Sequence, residues 1–450
     1  MSMAMEDSTN VAGLVFCARI PSAAVSSARG QRRNPKPATR CRLASVKNEH
    51  IPFSAKQRSS NLGAVTRRVA RLMSLSPVAC MAMAVLSATT AATESVVTSA
   101  TKPAVRMATP PRSFSLAATG DVLTESLVTS AAEAQAAGTA ARYNFAPLFA
   151  PVTDLLSSVD IAVCHMEMPI GAPGARPGVY GRSEFGGNLI LAPYEIADGL
   201  RRAGFDRCST ASNHSNDLGE SGIDTTLAAL DSAGLAHAGT ARSPAEAAVN
   251  IVSVNGVRLA HLAYTRYSNT ALPDEPWHVN FAASPTQVAA DVIAVRAAGA
   301  EVVVVSLHLS KELLAAPSPD DRQFVTDLTA LAHIDLVIQH GPHVIQPVEK
   351  VNGTWVYWSV GNFISGMGTA SSGKYSDLRT LDGLAATARF TESSPGVFTV
   401  EPWPVLLCNE PFTRTIYAPM ADFAQQPSSV VRSEFEACIQ RSTSVIAGLH

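Results

Sequence analysis

The chain has 450 residues, 46% hydrophobic and 16% charged, which is enough to bury one large core or two ordinary ones. Its formal net charge is −2 and its pI is near 6.6, so charge gives no reason to expect nucleic acid as a partner.

Residues 1–72 read as a basic, unstructured extension, or as sequence ahead of the true start. Between positions 19 and 71 the chain is rich in Arg, Lys and Ser, and Glu49 is the single acid. Thr66-Arg67-Arg68-Val69-Ala70-Arg71 then precedes an apolar stretch over about 72–86, followed by the small residues Ala88, Ala91 and Ala92. A positive run, a short apolar core and small residues describe a secretory signal peptide, too short for a membrane span of about 20 residues. Export to the cell envelope or beyond is therefore expected. The alternative is a Ser/Arg-rich transit peptide over 1–72 that leads to an organelle. The rest of 73–112 is mostly Ser, Thr, Ala and Pro, the composition of a linker.

From Ser113 the hydrophobic pattern becomes periodic. Strands are predicted at 113–119, 158–164, 207–211, 257–264, 301–307 and 335–338, and helices at 145–156, 193–203, 221–233, 286–298 and 319–332. Beyond Trp355 closely spaced strands follow, including 384–390 and 397–401, which suit antiparallel additions to a mixed sheet. Strands alternating with helices imply an α/β layered sandwich over 113–405, with 406–450 as a tail packed on it. The seven cysteines contain no C-x-x-C pair. In an oxidising compartment Cys408 and Cys438 can close a disulfide, whereas Cys164 and Cys208, inside apolar runs, read as buried inert thiols.

Five of the strand-like stretches end in loops carrying metal-grade side chains: Gly120-Asp121, His165-Met166-Glu167, Asn213-His214, His308, and His340-Gly341-Pro342-His343. In an open α/β sheet, loops beyond the carboxyl ends of the strands converge on one crevice. Two carboxylates, one amide and up to five imidazoles suit Mn, Fe or Zn better than Ca or Mg, as one ion or two. Each residue also has an ordinary reading. Asp121 can cap a turn, Asn213-His214 can be a helix cap with a surface neighbour, and His308 can be a satisfied core histidine. His165 reads equally as ligand or as support for one. Spacing alone leaves open which of His340 and His343 reaches a metal. Arg182, Arg266 and Lys311 lie near strand ends, and Arg266 and Lys311 are expected to orient an anionic substrate. Gly368 to Lys374 nearly spells a phosphate-binding loop, but Tyr375 stands where a magnesium-binding hydroxyl belongs.

In order along the chain, Gly120-Asp121, Asp160…Glu167-x-Pro169, Ala211-Ser212-Asn213-His214…Asp217-x-Gly219, Tyr264-Thr265, Ser306-Leu307-His308…Glu312, His340-Gly341-Pro342-His343-Val344 and Ser359-Val360-Gly361-Asn362-Phe363 resemble the CapA-type capsule-synthesis family. The resemblance covers about 113–405. It implies a metallophosphatase-like fold, export, and a role in making or exporting poly-γ-glutamate, within a membrane capsule-synthesis complex. By itself it establishes no reaction. One reading is metal-dependent hydrolysis or transfer on an anionic polymer or phosphorylated substrate, with Asp121, Glu167, Asn213, His308, His340 and His343 as metal ligands; the alternatives are a non-catalytic polymer-binding component of a cell-envelope machine and a phosphoesterase unrelated to capsule. His214 would be the proton donor to a leaving group. The chain departs from the family at His165, where an Asn is usual, at Gln339, where a Gly is usual, and at Leu309-Ser310-Lys311, where the family has Trp-Gly-x after the histidine.

Overall fold

The computed structural model describes residues 110–248, 251–309, 311–420 and 429–446. The basic run, the signal-like segment and the linker as far as residue 109 lie outside the described residues. The fold is a four-layer α/β/β/α sandwich of two mixed sheets, in line with the layered class predicted above. The first sheet has nine strands, with Ser113–Val122, Ile161–Met166, Arg207–Ser209 and Ala236–Ala238 running parallel at one side. Asp382–Ser394 pairs antiparallel with Ser113–Val122, and Val405–Asn409 and Ile416–Tyr417 extend the sheet from there. The sheet therefore continues beyond residue 405, into what the sequence suggested was a tail. The second sheet has six strands, with Thr354–Val360, Leu336–His340, Val302–His308 and Val257–Thr265 parallel at its centre.

Strand and helix boundaries follow local chemistry. The run Val302–His308 is apolar on both faces because helices cover one side and the other sheet covers the second. Helices Pro285–Ala297 and Pro319–Leu331 each begin with a Ser-Pro pair. The Ser284 and Ser318 side chains accept from the N–H groups of Gln287 and Asp321, and the proline occupies the first helical position, where no N–H partner is needed. The single helix predicted over 145–156 is instead broken into Ala146–Phe149, a 3₁₀ turn Ala150–Val152, and Thr153–Ser157. Pro151 lacks the N–H that would continue the helix across this point.

The space between the sheets is apolar at one end and polar at the other. Phe114, Leu116, Ile161, Val163, Val257, Leu259, Val302, Val304, Leu336 and Ile338 fill the first part of it. Continuing the same alternation along these strands leads to His165, His261, Ser306, His308 and His340, all buried. Asp121 joins this row through an irregularity. Ala117 faces the outer core and Ala118 the inner, so strict alternation would turn Asp121 outward. The register shifts between Ala118 and Asp121, and a shift of one residue moves a side chain to the opposite face.

Two disulfides cross-link the described residues. Cys408–Cys438 ties the C-terminal helix Ser429–Thr443 to the first sheet, as expected, and Arg441 reinforces it by donating to both carboxylate oxygens of Asp382 at 2.8 and 2.6 Å. The expectation of free thiols at Cys164 and Cys208 is overturned, because they form a disulfide. The two residues sit directly opposite one another on neighbouring parallel strands, at a Cα separation of 4.4 Å, a register that the apolar runs alone do not reveal. Each bridge is worth about 2–4 kcal/mol.

Candidate metal centre and substrate cleft

Asp121 is the centre of the polar end. Its carboxylate accepts from the Gly341 N–H at 3.2 and 3.3 Å, and lies 3.0 Å from His343 Nδ1, 3.7 Å from His340 Nδ1 and 4.0 Å from His165 Nε2. Two groups of metal-capable atoms share it, Asp121 with His165 and His340, and Asp121 with Glu167 and His308. Within each group the atoms lie within 4.8 Å of one another, and all five residues are buried. His165, the least secure residue in the sequence reading, thus lies inside one of the two groups. Its Nδ1 is 2.7 Å from Ser209 Oγ, its Nε2 is 3.0 Å from His308 Nδ1, and its ring stacks on His340 at 4.0 Å between centroids.

The surrounding backbone holds these groups by close approach. Gly341 sits at φ +98°, and a Cβ there would meet the Leu309 carbonyl oxygen at 2.4 Å, so the loop that presents its N–H to Asp121 requires glycine. His343 also has a positive φ of 60°, a conformation rare for a side chain of this size and found most often where function over-determines the backbone. Asn362, a residue the sequence reading left without a role, has its Oδ1 3.0 Å from His343 Nδ1, and its own amide donates to the Thr380 carbonyl.

The donor set fits divalent metal. Among the described residues, neither ring nitrogen of His340 has a hydrogen-bond partner, nor has Glu167 Oε2 or Asn213 Oδ1, and all are buried. Lone pairs left bare in a dry interior carry a desolvation penalty that a cation relieves.

His214 is positioned differently. Its Nδ1 is 2.6 Å from Asp217 Oδ2, the same oxygen accepts from the Ile190 N–H, and the His214 ring stays partly open to the cleft. Neither group of metal-capable atoms includes it. A buried carboxylate behind an imidazole fixes its tautomer and orientation, which is the arrangement of a proton donor. Asp217 belongs to the same Asn213…Gly219 motif as His214, and the turn between them sets the pairing.

Charge at the centre is finely divided. Burial pushes His340 down to about 4 and His308 to about 3, and holds His165 well below the ordinary histidine range, so all three are neutral at pH 7, the form that ligates a metal. Burial opposes the charge on His343 as well, yet Glu167 and Asp121 outweigh it and raise that imidazole to about 10. Burial would raise Asp121, but its hydrogen bond with His343 and the neighbouring histidine charges bring it below the usual carboxylate value. Glu167 is pushed well upward by burial and then by the Asp121 charge.

These shifts fix a pH window for the metal-free protein. Below about 6.5 the unfolded chain protonates its histidines while folded His340 and His308 resist, so stability falls by up to about 1.4 kcal/mol per pH unit for each as pH drops toward 4. The stabilisation from His343 is complete below about 6.5 and fades as pH rises toward 10. Urea midpoints of chelator-treated protein are expected to peak near pH 6.5, and a flat profile from pH 4.5 to 9 would contradict this division of charge.

A cleft of about 800 Å³ opens over the centre, with Glu167, Asn213, His214, His308, Gly341 and His343 at its floor. Its rim includes the hairpin of Gly178–Arg182 and Asn188–Leu191, with Phe185 at the tip, 64% exposed. The 3₁₀ segment Ala370–Tyr375, the stretch resembling a phosphate loop, also lines it. It is latched to Glu312 by Lys374 Nζ at 2.7 Å and the Tyr375 hydroxyl at 2.9 Å. The cations expected to orient substrate are not those that line this cleft. Arg266 turns away, donating to Asp321 at 2.6 Å and Asp320 at 2.8 Å and lying over the Phe324 ring at 4.2 Å, because the acidic first turn of helix Pro319–Leu331 meets it there. Lys311 is exposed and outside the lining. Arg182 and Lys374 are the cations in the lining instead, Lys374 in its ion pair with Glu312.

Residues 115–367, more than half of the chain, match the family described as Bacterial capsule synthesis protein PGA_cap. The chain belongs to that family. Within it, the PGA biosynthesis protein CapA of Bacillus subtilis (strain 168) is 27% identical over 205 residues, covering 45% of this chain and 52% of the relative. The capsule biosynthesis protein CapA of Bacillus anthracis is 27% identical over 185 residues, covering 40% and 44%. The chain therefore spans about half the length of the curated relatives it matches. Among solved structures, it is similar to the calcineurin-like phosphoesterase YfkN from Bacillus subtilis at a TM-score of 0.40 and 13% identity, over 74% of this chain and 99% of that one. It is also similar to a 5'-nucleotidase precursor from Thermus thermophilus at 0.36 and 13%, over 74% and 59%.

Proposed function

We propose that this capsule-synthesis family member is an exported, metal-dependent hydrolase or transferase that acts on an anionic chain such as poly-γ-glutamate, or on a phosphorylated precursor of one. The observation that carries the reading is Asp121, shared by two buried groups of metal-capable side chains, with the His214–Asp217 pair beside them on one cleft. Asp121, His165 and His340 would hold one ion, and Asp121, Glu167 and His308 a second, with the Asn213 amide oxygen nearby; imidazole and carboxylate together suit Mn, Fe or Zn. When bound, such ions supply Lewis-acid polarisation of the scissile group. His214 delivers a proton to the departing oxygen or nitrogen, Asp217 keeps its Nδ1 protonated, and Arg182 and Lys374 orient the anionic chain along the cleft. Two disulfides favour an oxidising compartment, which agrees with export. The relatives named for capsule and PGA biosynthesis support a role in making such a polymer.

The test combines metal analysis of the purified protein with turnover of a generic phosphodiester and with chain length of poly-γ-glutamate after incubation. Bound metal without change in either substrate would leave a non-catalytic polymer-binding component as the better reading. Arg182→Ala and Lys374→Ala are each expected to weaken polymer binding by about 3- to 10-fold at low salt, with metal content unchanged, since rim charges act mainly by steering. Parent-like binding by the double variant at low salt would reject an anionic substrate in this cleft.

A further inference from the structure

A second cavity lies between the two sheets, and none of its lining residues is shared with the cleft. It is lined by Arg207, His237 and Ala238 from the first sheet, by His261 to Ala263 from the second, and by Asn280, the turn Gly239 to Ala241 and the short helix carrying Glu246. Arg207 is 3% exposed, and among the described residues its Nε and Nη1 have no acceptor. His261 is also 3% exposed. Its Nε2 is 2.9 Å from Ser306 Oγ, while its Nδ1 has no partner.

This arrangement is costly as it stands. A guanidinium taken out of water with no counter-charge loses several kcal/mol of solvation. Burial is the cause that lowers Arg207, to about 10, which leaves it fully charged at neutral pH. Glu246 lines the same cavity, but its carboxylate is committed to the Arg242 guanidinium and backbone N–H. The Asn280 amide donates to the Ala263 carbonyl. His237 is likewise taken up, its Nε2 3.3 Å from Asp231 and 3.8 Å from Glu246. Outside that cluster, the cavity is left with the charge of Arg207 and with unsatisfied nitrogen on Arg207 and His261.

We propose that this cavity binds one small monovalent anion, a halide such as chloride, between Arg207 and His261. The volume of about 30 Å³ sets the class: it has room for about two water-sized spheres, which suits one halide and excludes a nucleotide or a polymer segment. Water alone would meet the hydrogen-bonding needs of these nitrogens but would not neutralise Arg207. With the Ser306 hydroxyl donating to His261 Nε2, the ring proton sits on Nδ1, and a halide accepts from that N–H while neutralising the guanidinium. The bound anion joins Arg207 of one sheet to His261 of the other, close to the strand ends that carry His165 and His308.

Two measurements on the purified protein test this. Bromide-soaked crystals are expected to show an anomalous peak in contact with the Arg207 guanidinium. In solution, at constant ionic strength, replacing gluconate by chloride is expected to raise the melting temperature along a saturable curve, as binding to the folded state alone requires. Arg207→Met, which keeps the side-chain length without the charge, is expected to lose both the peak and the chloride dependence. Should that variant fail to fold, the parent protein still decides. Coincident chloride and gluconate curves overturn the proposal, and so does water alone at Arg207. A bromide peak without saturation in solution, meaning binding at crystal concentration only, also counts against it.

Discussion

His214→Ala is expected to lower kcat by about 10²- to 10⁴-fold while the protein keeps its metal, and Asp121→Ala is expected to lose both. The difference follows from position. Asp121 belongs to both groups of metal-capable atoms, so its removal strips a donor from each. His214 belongs to neither; it is held 2.6 Å from Asp217 at the edge of the cleft. Metal content by mass spectrometry and turnover of a phosphodiester, measured on the same preparations, separate the two roles. Asp217→Asn extends the test, because it keeps the shape but removes the negative charge and turns one acceptor oxygen into an NH2 donor beside the imidazole; its metal should be retained and its pH–rate profile altered. Equal metal loss in the Asp121 and His214 variants would sink the separate role for His214.

Gly120→Ala is expected to cost about 3 kcal/mol or more of stability together with loss of metal. A Cβ at position 120 would sit 2.1 Å from the Gly361 carbonyl oxygen and 2.7 Å from its carbon. Both are backbone atoms, and no rotamer change relieves the clash. The same carbonyl accepts from the Asp121 N–H at 3.1 Å, so pushing the strands apart also moves the shared carboxylate. Thermal unfolding of Gly120→Ala beside His333→Ala, a change at an exposed side chain, would measure the effect. Parent-like stability and metal content in Gly120→Ala would show that this contact is softer than the backbone packing implies.

Much of this architecture was legible in the chain because it depends on near neighbours. Alternating apolar runs and amphipathic stretches gave the layered α/β class, and the helices expected over 286–298 and 319–332 stand at Pro285–Ala297 and Pro319–Leu331. Residues at the ends of strands pointed to one crevice, and the structure gathers Asp121, His165, Glu167, His308, His340 and His343 at one place. Such features rest on side-chain periodicity and on the rule that parallel strands present their carboxyl ends together.

What the tertiary structure decided was pairing across the sequence. Cys164 meets Cys208, 44 residues away, only because the two strands align in that register. Arg266 is drawn from the cleft by Asp320 and Asp321, more than 50 residues later, and its place as a cleft cation passes to Arg182 and Lys374. Asp121 faces the centre through a register shift that simple alternation forbids. His261, without a motif, meets Arg207 across the sheets. Local spacing determines which face of its own element a residue occupies; the partner it finds there is set by register and layer stacking, which couple residues that the chain keeps far apart.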